Sequence, residues 1–135
     1  EYKAFSGTAV YTTTINKVPV ADVIKLNLGT VAENASVYLN GEYIGTVIDS
    51  PYQLYIPAEK FKGQDELVVR VANSMANRIA YMDKKGVDWK IFYNVNMSAR
   101  KKENVKNGIF DASDWEPKSS GLLGPVTLTP AMVKQ

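Results

Sequence analysis

The chain has 135 residues, 45% of them hydrophobic and 22% charged, with a formal net charge of +2. This balance suits one domain with its own core and supplies no strong field for nucleic acid or a membrane surface. Cysteine and histidine are both absent, which excludes thiol nucleophiles, imidazole bases and zinc sites built on nitrogen or sulfur, and leaves carboxylate chemistry. No stretch approaches the apolar length of a membrane-spanning helix. The opening Glu1-Tyr2-Lys3, in place of a methionine, leads to the expectation of a segment excised from a longer chain that carries the targeting information elsewhere.

Taken in chain order, Ala9 to Ile15, with Tyr11 and three successive threonines, has the composition of a half-exposed first strand. Ile24, Leu26 and Leu28 alternate with Lys25 and Asn27 until Gly29, a strand with one buried face. Ala35, Val37 and Leu39 alternate in the same way and run into Asn40-Gly41, the pair that best tolerates the positive φ angles of a type I′ hairpin turn. With those two residues as the loop, Val37 is expected opposite Ile44 and Tyr38 opposite Tyr43. Tyr52, Leu54 and Ile56 form a further strand ending at Pro57, and Gly63-Gln64-Asp65 a turn. Leu67, Val69 and Val71 mark a central strand that stops at Asn73-Ser74.

The alternation then lapses, which in a compact domain signals function or partial helix. Residues 75–84 read as a short helix, Trp89, Ile91, Phe92 and Tyr93 as a strand, and Val126 to Leu128 as a last strand closing the sheet. Many short strands at close intervals predict an all-β fold, an antiparallel jelly-roll β-sandwich formed as a single domain over residues 1–135.

Particular residues say more than periodicity. The string Val37-Tyr38-Leu39-Asn40-Gly41, followed by Ile44-Gly45 and Pro51-Tyr52, resembles the sugar-binding domain of family-2 glycoside hydrolases and their galactose-binding-like relatives. Leu26-Asn27-Leu28-Gly29 before it, Glu66 to Asn73 after it, and then Asn77-Arg78 resemble the same family's successive pieces. The ending Ser120-Gly121-Leu122-Leu123-Gly124-Pro125-Val126 is similar to the close of C-terminal modules on bacterial α-L-rhamnosidase-like enzymes, and the whole resemblance covers residues 7–129. The chain departs from the pattern at Ile48-Asp49, where similar domains often carry a tryptophan, and at Tyr55, where they carry an acid.

The resemblance implies a galactose-binding-like, non-catalytic carbohydrate-binding or accessory domain of a glycoside hydrolase, bacterial and periplasmic or extracellular. Its partners would be a glycan or oligosaccharide and the catalytic domain of the parent enzyme. The alternative is a purely structural domain that packs on that catalytic domain without affinity for sugar. Sugars are held by flat aromatic faces with amides, carboxylates and arginine around them. Tyr81, Trp89, Tyr93 and Trp115 lie in the irregular late segment with Arg78 and Asp88, and these six are the expected carbohydrate-binding residues, although the same aromatics serve equally as packing. Asp83, Asp88, Asp111, Asp114 and Glu116 are near one another in sequence only, so no catalytic pair is expected. One structural calcium ion is implied by the resemblance, at no assigned position, since no EF-hand-type loop is present. Arg100-Lys101-Lys102 is cut off by Glu103, and no nucleic-acid or membrane partner is expected.

Overall fold

The computed structural model describes residues 6–91 and 101–132. Two compact units can be distinguished. One is built on Gly7–Asn73 with the end of the chain from Ser120, and the other on Ser74–Ser119.

The first unit is an antiparallel β-sandwich. Strands β1 (Gly7–Ile15), β2 (Val23–Asn27), β3 (Thr30–Ala32), β4 (Asn34–Leu39), β5 (Glu42–Val47), β6 (Gln53–Pro57) and β7 (Asp65–Asn73) follow in order. They form one sheet of order β1-β7-β4-β5, and a second is completed from the far end of the chain, in the order β11-β2-β6, by β11 (Thr127–Ala131). A short strand β10 (Gly121–Gly124) pairs with β3. Alternation decides what is inside: Val37, Leu39, Leu67, Val69 and Val71 of the larger sheet meet Leu26, Leu28 and Ile56 across one shared core. Each of these is at most 3% exposed. The expected central strand is β7, flanked by β1 and β4.

The hairpin turns at Asn40 and Gly41, with φ of 51° and 81°, and Tyr38 stands opposite Tyr43 as expected. Val37, however, pairs with Gly45 and not with Ile44. Ile44 is the extra residue of a β-bulge. The cause lies in the core: Ile44 packs against it and Val47 is buried within it, and two residues three apart share a face only if one extra residue breaks the alternation. Gly45 then lies against Leu54, where an added Cβ would come within 3.0 Å of a methyl group.

Asn40 also fastens the hairpin to β7. Its side chain donates to Asp65 Oδ1 (2.6 Å) and accepts from the Glu66 N–H (2.9 Å). Asp65, 1% exposed, accepts in addition from the N–H groups of Lys62 and Gly63. Elsewhere Gly29 of the β2–β3 corner meets Gly124 backbone to backbone: a Cβ on Gly29 would sit 2.3 Å from the Gly124 carbonyl carbon, and its φ is +68°. Only glycine satisfies both conditions.

The second unit holds helix α1 (Ala76–Lys84), a short 3-10 turn at Lys102–Asn104, and the two-residue strands β8 (Val105–Lys106) and β9 (Ile109–Phe110). Its small core is Ala80, Phe110 and Ala112, with Ile79, Trp89 and Trp115 packed around it. The helix matches the expectation for residues 75–84. Trp89 to Ile91 do not form the expected strand, because Trp89 is drawn onto this core, and Phe92 and Tyr93 lie outside the described residues. No helix among the described residues is long and apolar enough to cross a membrane.

Candidate functional site

An open groove of about 610 Å³ runs along α1, and Ser113 to Pro117 form its opposite wall. The helix contributes Asn77, Ala80, Tyr81 and Lys84, residues at i, i+3, i+4 and i+7 that share one stripe of the surface. Asn77 also ties the two walls together. Its side-chain N–H donates to the Lys118 carbonyl and its oxygen accepts from the Lys118 N–H, both at 2.8 Å.

Trp115 stands on the second wall. Its ring meets Phe110 edge to face at 5.7 Å, and its indole N–H donates to Asn104 Oδ1 at 2.9 Å. Tyr81 faces the same groove and is 44% exposed, which leaves it the more accessible of the two aromatic groups. Asp83 also lines the groove, at its floor, with a side chain only 1% exposed. It receives the Trp89 indole N–H (2.7 Å), Lys90 Nζ (2.6 Å) and the Ala112 N–H (2.8 Å), and Lys90 lies 5.1 Å from the centre of the Trp89 ring. A single carboxylate thus joins α1, the Trp89 segment and the segment that follows β9 at Ala112.

Charges at the wall are arranged around Lys106, which reaches Asp114 (3.0 Å), Asp111 (3.4 Å) and the Ser113 hydroxyl (2.6 Å). The hydrogen bond to Asp114 holds the Lys106 ammonium above its ordinary pKa, and the Ser113 hydroxyl donating to Asp111 holds that carboxyl below its own. Both shifts favour the charged forms. Lys84 and Glu116, also lining the groove, take part in none of the described ion pairs.

Of the six residues expected to bind carbohydrate, Tyr81 and Trp115 line the groove, while Trp89 lies behind it on Asp83. Arg78 and Asp88 are exposed and do not line it, and Tyr93 lies outside the described residues. Lys84 was not among the six, although its spacing from Asn77 and Tyr81 places it on their stripe. No local pattern marked Ser113 or Pro117, whose position depends on the Asn77 clamp. No three acidic side chains converge as a metal site among the described residues; Asp83 and Asp111 are occupied by the donors named above.

Comparison with known proteins places this architecture. No model of a known protein family matches the chain. A curated protein of Formosa agariphila, provisionally named a beta-glucuronidase, is 33% identical over 93% of this chain. The solved structure of a rhamnosidase from Novosphingobium sp. PP1Y is 30% identical over 93% of the chain, with a TM-score of 0.71. A beta-glucuronidase of Bifidobacterium dentium shares 25% identity over 52% of the chain, with a TM-score of 0.43. The chain spans only 12% of the Formosa protein and 11% of the rhamnosidase. It therefore corresponds to one small β-sandwich module within much larger glycoside hydrolases.

Proposed function

We propose that this chain is a non-catalytic accessory module of a larger bacterial glycoside hydrolase, exported with it, and that it holds a glycan in the groove between α1 and Ser113 to Pro117. The observation that carries this reading is the near-complete match to a module occupying about a tenth of a rhamnosidase, joined to an open groove lined by Tyr81 and Trp115. In it Tyr81 offers a ring face to the C–H side of a pyranose, while Asn77, Lys84 and Glu116 supply donors and acceptors for hydroxyls. Weak affinity is sufficient, because tethering to a catalytic domain raises the local concentration of bound substrate.

Calorimetric titration of the chain against rhamnose, galactose and pectic oligosaccharides, with and without calcium, tests this directly. Saturable binding is expected for at least one oligosaccharide, and Tyr81→Ala should weaken it at least about tenfold while leaving the melting transition in place, since truncating a stacking aromatic removes roughly 1.5 kcal/mol or more. Silence across the panel removes the glycan-binding half of the proposal.

A second reading rests on the tryptophans. Both indole N–H groups are already bonded within their own unit, to Asp83 and Asn104, and both rings pack on the small core. That favours a module whose aromatics stabilise a surface for docking on the catalytic domain. On this reading the titration is silent, and deleting the module lowers the stability of the parent enzyme.

A further inference from the structure

Four strand edges close the two main sheets, and three of them are protected. Strand β5 carries the bulge at Ile44, β6 ends in Pro57, and β11 contains Pro130; bulges and prolines are the devices that keep an edge from recruiting another strand. β1 has none of them. Its nine residues, Gly7–Ile15, include no charge and no proline, and its register against β7 runs without a break from Gly7 opposite Asn73 to Ile15 opposite Asp65. Among the described residues its other edge has no strand partner, and most of its side chains are exposed, Val10 by 57%.

The sequence of this strand is also compatible with itself. In an antiparallel pair centred on Tyr11, Thr8 stands opposite Thr14, Ala9 opposite Thr13, and Val10 opposite Thr12. These are β-branched and small pairs with no like charges to repel. We propose that the open edge of β1 pairs with β1 of a second copy of this chain, joining two four-stranded sheets into one of eight strands about a two-fold axis. The edge is about 30 Å long and buries less than the roughly 800 Å² per partner of a standard interface, so the dimer is weak.

Sedimentation velocity from ~10 µM to ~1 mM, the range in which an interface below standard size associates, reads the association. A concentration-dependent shift toward dimer is expected. The double variants V10K/T12K and V10E/T12E place like charges opposite one another, and each should weaken the dimer by about tenfold or more, whereas their mixture should restore it. Far-ultraviolet circular dichroism verifies that both variants fold, and if either does not, amide exchange of residues 8–14 in the wild type substitutes, with protection expected to grow with concentration. A wild type that stays monomeric to ~1 mM, a dimer indifferent to the charges, or exchange independent of concentration overturns the proposal. The first and last of these outcomes would leave the edge to another segment of a longer parent chain.

Discussion

Asp65 is a carboxylate with almost no access to water, and its charge survives because donors replace the solvent. Burial alone would raise its pKa, but the Asn40 side chain and the Lys62 and Gly63 N–H groups outweigh that effect and hold it below its ordinary value of 3.8. A depressed carboxylate contributes stability above its unfolded pKa and loses it as pH falls through the folded one. The isosteric Asp65→Asn turns an amide donor toward main-chain donors and should cost roughly 2–3 kcal/mol at pH 7. Urea midpoints measured from pH 7 to 3 should show that gap closing only below about pH 4; a constant gap would show that the charge contributes nothing. Gly29→Ala is expected to cost roughly 2–4 kcal/mol, since it adds both a clash with Gly124 and a strained φ. Its melting temperature checks this.

At the scale of elements, α1 is short, nine residues, and helices of that length depend on tertiary partners. Its partners are polar as much as apolar: Asn77 binds the Lys118 main chain, and Asp83 gathers Trp89, Lys90 and Ala112. Asp83→Ala leaves those part-buried donors unmatched, at a cost of roughly 2–3 kcal/mol. Near-ultraviolet circular dichroism of the tryptophans should lose intensity in that variant at a denaturant concentration where the wild type retains it. The same side chains explain why Asp83 works as support for the groove, whereas Tyr81, two residues earlier and 44% exposed, faces into it.

For the whole molecule, alternation was sufficient to mark the β-rich class, the Asn40-Gly41 hairpin and the central position of β7, because a period of two with one buried face leaves little freedom of register. The position of α1 was legible too. What the local pattern did not contain was anything decided by a distant contact. The bulge at Ile44 follows from the demand of the core on Val47, and β3 and β10 are defined by the approach of Gly29 to Gly124, ninety-five residues along the chain. The groove is of the same kind, since Ser113 to Pro117 reach α1 through the Asn77 clamp on Lys118. The sequence by itself therefore determined which residues are apolar on one face and where the chain turns, since both depend on neighbours two to four positions away. Tertiary structure alone decided which aromatics line the groove, because Trp89 and Trp115 are the same side chain and both pack on the small core, and only the placement of Ser113 to Pro117 opposite α1 brings Trp115 into it.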